Sequence, residues 1–119
     1  MLRKLLGQTH REEVGIAEAV AHSFVMTTGL PPFVYHNPVK ARAASSSSLY
    51  VWDRNLLATR LFQAPVLYCE AYVMNDQQVF KRIQLGDYNG TKTIDGEEFR
   101  SIYRDYADAV AQGVVEYFR

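Results

Sequence analysis

The sequence predicts an α/β protein in which helices pack on a small, mostly parallel sheet. Apolar residues recur at helical spacing over about residues 10–28 and again from about residue 97 to the end of the chain. Between them, the unbroken apolar run Val66–Cys69 is typical of a central strand that is covered on both faces. Helices that alternate with short apolar strands indicate this class. Without an internal repeat or a linker, residues 1–119 are expected to form a single domain.

The first helix has recognisable start and stop signals. Thr9 and Glu12 have the spacing of a capping box, which predicts that the helix begins there. Gly29, followed by Pro31 and Pro32, predicts the end of the helix, since glycine accepts a left-handed cap and proline cannot continue a helix. Residues 36–48 include four consecutive serines and no apolar periodicity, which predicts a mobile loop.

The middle of the chain contains the strand candidates. Phe33–Tyr35 and Leu49–Trp52 are short apolar runs that fit strands, whereas Leu56–Phe62 fits either a helical turn or a strand. Residues 64–72 are the strongest strand candidate, with Pro65 at its beginning, where a missing amide donor matters least.

The last third of the chain is predicted to be helical. Asn75 or Asp76 is expected to cap a short helix that stops at Gly86, and a turn is expected over residues 87–90. A final helix is expected from about Glu97. Its predicted core-facing stripe comprises Phe99, Ile102, Tyr103, Tyr106, Val110, Val114 and Tyr117.

Composition argues against several classes of function. Thirteen basic and thirteen acidic residues cancel, so no broad electrostatic field favours nucleic acid or an anionic membrane. The apolar part of residues 1–8 is too short for a signal peptide, and no segment approaches the length of a membrane span. Any export signal is therefore expected outside this chain. Cys69 is the single cysteine and lies in an apolar run, which predicts a buried, inert thiol and no internal disulfide.

Glu70 is the best candidate for chemistry. It directly follows the predicted central strand, and functional groups of open α/β sheets gather at the carboxyl ends of strands. A carboxylate beside buried surface can act as a general base or bind a positive centre. Alternatively, Glu70 is a solvated charge or pairs with Arg60 or Arg54, and spacing alone leaves both interpretations open.

The histidines and serines give weaker signals. His10, His22 and His36 lack the spacing of metal ligands, so we predict no metal-binding residue in this chain. His10 and His22 are expected to be structural, whereas His36 lies in a loop that could approach a cleft. The serines at 45–48 lack the sharp strand-to-helix turn that presents a nucleophile.

Several segments resemble the zinc-dependent N-acetylmuramoyl-L-alanine amidases of bacterial cell walls. Ala64–Glu70 followed by Met74–Asn75 resembles the late strand of that family, which ends in a functional glutamate before a helix start. Leu57–Arg60 is similar to the short strand before it. Two further segments occur in the family's order. Near the start of the chain these are a helix around Ile16–Val20 and the turn after it at Thr28–Pro31. Near its end there is a closing helix around Tyr106–Val110, followed by Gly113 and Tyr117–Phe118.

The resemblance implies the C-terminal half of a partial amidase-like α/β/α sandwich. It implies hydrolysis of the amide between muramic acid and the first alanine of the peptidoglycan stem, with Glu70 as catalytic carboxylate and Arg60 as a residue that positions it. The family's zinc ligands have no counterpart here and would precede residue 1, and Tyr72 replaces a glycine of the family. Zinc is thus expected in the complete family domain and no cofactor in this chain alone, which we expect to be inactive by itself.

The implied partners are peptidoglycan or muropeptides, with no nucleic acid or membrane. Loss of early strands would leave an open sheet edge, so the chain is expected to form a homo-oligomer or to pack against the missing N-terminal segment. The family function would place it in the cell envelope or periplasm. The alternative function is a non-catalytic interaction module on a truncated amidase scaffold.

Overall fold

The computed structural model describes residues 8–36, 41–54, 56–73 and 76–119. The helices in these ranges are α1 (Thr9–Thr28), α2 (Leu57–Leu61), α3 (Gln77–Gln84) and α4 (Ile102–Tyr117). The strands are β1 (Arg42–Ala43), β2 (Trp52–Asp53), β3 (Thr91–Ile94) and β4 (Glu97–Arg100). β1 pairs with β2 and β3 pairs with β4, giving two separate antiparallel sheets.

The predicted parallel sheet, and with it the α/β/α sandwich, is wrong. In the described residues, each sheet has two strands and both sheets are antiparallel. Residues 64–72, the predicted central strand, form neither helix nor strand. The amide of Val66 donates to Oε1 of Glu13 on α1, at 3.0 Å, rather than to a neighbouring strand. A short apolar run has no periodicity, so it specifies neither a strand partner nor burial: Tyr68 is 62% exposed and Cys69 is exposed.

The first helix agrees with its prediction except at its start. α1 ends at Thr28, and Gly29 has φ 64° and donates its amide to the carbonyl of Val25 at 2.9 Å. The predicted capping box does not form, because Thr9 is already helical and the capping position falls on Gln8, whose side chain accepts no capping hydrogen bond. Leu57–Leu61 resolves the ambiguous middle segment as a short helix.

The main helix contact joins α1 to α4. The buried residues of α4 are Ile102, Asp105, Ala109 and Gly113, so the buried face is rotated from the predicted stripe, of which Tyr103 is 49% exposed. Gly113 lies directly against α1, since a Cβ atom on it would be 2.4 Å from the Cα atom of Val20. Small residues in α4 therefore allow the close approach of the two helices.

The segment before α4 contains a hairpin where helix was predicted. β3 and β4 are joined by Asp95, with φ 52°, and Gly96, with φ 90°, as expected of an Asp-Gly hairpin turn. α4 consequently begins at Ile102, five residues after Glu97, where the helix was predicted to begin. The predicted cap of α3 is confirmed for Asp76, whose Oδ1 accepts from the amide of Val79 at 2.8 Å; Asn75 lies outside the described residues.

A buried ion pair fastens α3 to α4. Nη2 of Arg82 lies 2.6 Å from Oδ2 of Asp105, and the side chain of Arg82 is 3% exposed. Arg82 also donates to the carbonyl of Arg100 at 3.2 Å, and its guanidinium carbon lies 4.7 Å from the ring centroid of Phe99. Arg82 thus links α3, the end of the β3–β4 hairpin and α4 through one buried side chain.

Candidate functional site

Glu70 lies on the wall of a large open cavity rather than at the end of a strand. The cavity has a volume of about 1810 Å³ and lies between α1, the β1–β2 sheet and residues 66–73. The side chain of Glu70 is 50% exposed. Its carboxylate is therefore accessible from the cavity.

Arg54 and Tyr35 hold the carboxylate of Glu70. Nη1 of Arg54 donates to Oε1 and to Oε2 of Glu70, both at 3.1 Å. The hydroxyl of Tyr35 donates to Oε2 at 3.1 Å and accepts from Nη1 of Arg54 at 3.3 Å. Burial, reinforced by the bond to Glu70, raises the pKa of Tyr35, so its hydroxyl stays protonated as a donor. We call Glu70, Arg54 and Tyr35 the Glu70 cluster.

The arginine beside Glu70 is Arg54. The sequence left Arg54 and Arg60 open as partners of the carboxylate and favoured Arg60 as its positioning residue. Arg60 belongs to α2, but its side chain lies outside the described part of the chain, so its role stays a prediction. Arg54 directly follows β2, which directs it toward the cavity.

Aromatic rings extend from the Glu70 cluster along the cavity. The ring centroids of Phe33 and Tyr35 are 5.1 Å apart, and those of Tyr35 and Trp52 are 5.2 Å apart, both in edge-to-face arrangement. The guanidinium carbon of Arg54 lies 5.5 Å from the ring centroid of Tyr35. All of these residues line the cavity. We call Phe33, Tyr35 and Trp52 the aromatic wall, which the sequence did not single out as functional.

The histidines form loose contacts with carboxylates. His10 lies between Glu13 and Asp53, with nitrogen–oxygen distances of 3.8 and 3.9 Å, and lines the same cavity. His22 is 3.9 Å from Glu116, and His36 is exposed. In the ranges that the structure describes, no group of three or more His, Cys, Asp or Glu side chains is placed to hold a metal ion.

The serine run is tied to α1. The hydroxyls of Ser45 and Ser47 both donate to Oε1 of Glu18, the second at 2.6 Å. Oγ of Ser45 also accepts from the amides of Ser47 and Ser48, at 3.0 and 3.1 Å. These hydroxyl bonds lower the pKa of Glu18. Their geometry is that of a structural turn. Residues 37–40 of the predicted loop lie outside the described residues.

Cys69 does not occupy the buried position that was predicted. The residue is exposed at the cavity wall. Desolvation by neighbouring groups nevertheless raises the pKa of its thiol, although a hydrogen bond with Tyr106 opposes that shift. A raised pKa reduces the thiolate fraction, so Cys69 is poorly suited to act as a nucleophile.

Comparison with protein-family models, with curated proteins and with solved structures found no match to this chain. The resemblance to amidases therefore rests on the order of its motifs alone. Within the described ranges, no helix is long and apolar enough to cross a membrane.

Proposed function

We propose that this chain is the portion of a peptidoglycan amide hydrolase that carries the catalytic glutamate, Glu70. The observation that carries the proposal is the placement of the Glu70 carboxylate, which is half exposed to a large cavity and fixed by Arg54 and Tyr35. The order of amidase-like motifs supports the same assignment. The bond cleaved would be the amide between muramic acid and the first stem alanine.

Arg54 and Tyr35 fix the orientation of the Glu70 carboxylate, as a general base requires. Nη1 of Arg54 donates to both carboxylate oxygens, and the hydroxyl of Tyr35 donates to one of them. An ionised carboxylate oriented in this way can accept a proton from an attacking water. By the resemblance, the zinc ligands of a complete amidase domain would precede residue 1.

The first test joins this chain to the zinc-binding N-terminal part of a zinc-dependent N-acetylmuramoyl-L-alanine amidase. We expect the chimera to generate stem peptides with a free alanine amino terminus in purified peptidoglycan sacculi. Glu70→Gln should reduce that rate by at least about a hundredfold, in the range that removal of a general base produces. Glu116→Gln, an exposed glutamate on α4, is the matched control and should leave the rate unchanged. A folded, active chimera that keeps its rate after Glu70→Gln would overturn the assignment.

A non-catalytic interaction module is the second candidate. One observation favours it: Arg54 and Tyr35 already occupy the carboxylate oxygens of Glu70. This function predicts that the isolated chain co-sediments with sacculi while a folded chimera generates no new alanine amino termini. Zinc analysis of the dialysed chain adds a separate readout, because one tightly bound zinc per chain would argue against both candidates as stated.

A further inference from the structure

We propose that the free edge of strand β3 binds an extended acidic peptide of a partner protein, which pairs with β3 as a third strand. The site is the groove between α3 and β3. None of the residues that line this groove lines the large cavity beside Glu70. The proposal is therefore independent of the proposed hydrolase function.

β3 has an open edge. Its sheet contains two strands, so among the described residues β3 has a neighbouring strand, β4, on one side only. Lys92, Thr93 and Ile94 follow one another in β3, and all three line a groove of about 440 Å³. Because successive side chains of a strand point to opposite faces, a groove that touches all three runs along the edge of the strand. The backbone groups that β3 turns away from β4 therefore face this groove.

The other edge of the hairpin is less suited to this peptide. Near the end of β4, the carbonyl of Phe99 accepts from the hydroxyl of Tyr88 at 3.0 Å, and the carbonyl of Arg100 accepts from Arg82 at 3.2 Å. β4 also begins with two exposed glutamates, which repel an acidic strand. β3 is thus the edge that suits an added acidic strand.

Apolar surface lies open beside the edge of β3. Phe80 on α3 is 47% exposed, and Leu85, directly after α3, is 38% exposed. Both line the groove together with Ile94, which is itself buried. An apolar side chain of an added strand would cover this surface. In strand addition, backbone hydrogen bonds supply affinity and such side-chain pockets supply specificity.

Lys92 gives the groove its preference for negative charge. Its ammonium lies 4.5 Å from the ring centroid of Tyr88 and forms no ion pair among the described residues, whereas Lys81 is paired with Asp95 at 2.7 Å. Lys92 is two residues from Ile94, so both side chains lie on the same face of β3. An added strand fits best with an apolar residue beside Ile94 and, two residues away, an acidic residue beside Lys92, since opposite charges stabilise a cross-strand pair.

The test uses two fluorescein-labelled hexapeptides that differ in one residue, Thr-Val-Thr-Glu-Thr-Thr and Thr-Val-Thr-Lys-Thr-Thr. The full chain is titrated against each peptide up to about 1 mM, the range of weak specific binding, with fluorescence anisotropy as the readout. We expect saturable binding of the glutamate peptide and about tenfold weaker binding of the lysine peptide, which places like charges opposite each other.

Three variants separate the two contacts. Lys92→Glu should reverse the preference, so that the lysine peptide binds more tightly. Phe80→Ala should weaken binding of the glutamate peptide by about tenfold, because it removes apolar area that the peptide covers. Arg11→Glu reverses an exposed charge on α1, away from the groove, and is the control that should leave both affinities unchanged. Circular dichroism confirms that each variant is folded.

Amide hydrogen exchange tests the strand pairing itself. Saturating glutamate peptide should slow exchange at residues 91–94 more than at residues 97–100, because the added strand pairs with β3. The proposal is overturned by absence of saturable binding, by equal affinity for the two peptides in the parent chain, or by binding that leaves exchange in β3 unchanged. If Lys92→Glu abolished self-association of the chain in sedimentation velocity, the edge would belong to a second copy instead.

Discussion

Arg82 and Asp105 form an ion pair that is almost wholly shielded from solvent. Their side chains are 3% and 9% exposed, and Nε of Arg82 has no hydrogen-bond partner among the described residues. By contrast, Arg104 and Asp87 form a bidentate pair on the surface, with side chains 42% and 54% exposed. Arg104 holds the pKa of Asp87 well below its ordinary value. We expect the buried pair to contribute more to the free energy of unfolding than the exposed pair, although the exposed pair has two hydrogen bonds.

Arg82→Met should destabilise the protein by up to about 3–5 kcal/mol, because it leaves the buried Asp105 carboxylate with the more distant and half-exposed Arg100, whose Nη1 lies 3.7 Å from Oδ1 of Asp105. Urea denaturation followed by helical circular dichroism measures the change. Arg104→Ala is the control and should cost less than about 1 kcal/mol, as for exposed pairs. Adding Asp105→Leu to Arg82→Met should recover most of the loss. If Arg82→Met and Arg104→Ala lowered the free energy of unfolding equally, the buried pair would contribute no more to stability than the exposed pair.

The sequence singled out Glu70 and named Arg54 as one of two possible partners, but it did not indicate Tyr35. Its position after an apolar run drew attention to the carboxylate, and Arg54 was one of two open partners. Tyr35 is separated from Glu70 by 35 residues and from Arg54 by 19, and no local pattern links them. These three residues lie outside helices and strands and come together only when the chain folds. Their contact therefore produces no periodic pattern in the sequence.

The α1–α4 contact depends on two helical glycines with different surroundings. At Gly113, an added Cβ would lie 2.4 Å from the Cα and 2.8 Å from the amide nitrogen of Val20, both backbone atoms of α1. At Gly15, the nearest atom is Cε2 of the Tyr117 ring, at 2.8 Å. A side chain can rotate away, whereas a helix backbone can move only if the whole helix shifts.

Gly113→Ala should therefore destabilise the protein by about 1–3 kcal/mol, the usual cost of overpacking. Alanine by itself favours a helix over glycine by up to about 1 kcal/mol, so the clash has to exceed that gain. Gly15→Ala is the matched control and should be close to neutral, since Tyr117 can give way. Chemical denaturation of both variants decides the matter. A Gly113→Ala protein at least as stable as the parent would contradict the close approach of α1 and α4.

Helix signals were more informative than strand signals for this chain. The stop of α1 at Gly29 and the cap of α3 at Asp76 were predicted correctly, because each depends on local backbone chemistry. The β3–β4 hairpin was missed, although Asp95–Gly96 is its turn. The apolar periodicity of α4 continues upstream to Phe99. It therefore predicted helix over residues 97–100, which form strand β4.

The molecule as a whole is more open than a typical domain of its length. Its radius of gyration is 15.8 Å, whereas a compact chain of this size has about 13.5 Å. Large apolar side chains around the cavity and α2 remain exposed, among them Leu61 at 66%, Phe62 at 59% and Tyr68 at 62%. Exposed apolar surface of this kind favours association.

We expect the purified chain to self-associate through this surface. Sedimentation velocity should show a weight-average mass that rises with concentration. Leu61→Ser combined with Phe62→Ser should weaken the association, because it removes apolar area that contact would bury. Phe118→Ser, at an equally exposed site at the end of α4, is the control. A well-folded monomer at high concentration would count against the expectation.

The sequence alone determined the presence of α1, α3 and α4, the glycine stop of α1 and the position of the α3 cap to within one residue, and it singled out Glu70 as a candidate. These features depend on neighbours within a few residues, so the chain encodes them locally. Tertiary structure alone decided that residues 65–73 pair with no strand, that Arg54 and Tyr35 meet Glu70, and that three aromatic rings line one cavity. Strand pairing and cavity formation bring together residues that are far apart in the chain. A short apolar run could pack against many different segments, so its sequence does not specify which one it contacts.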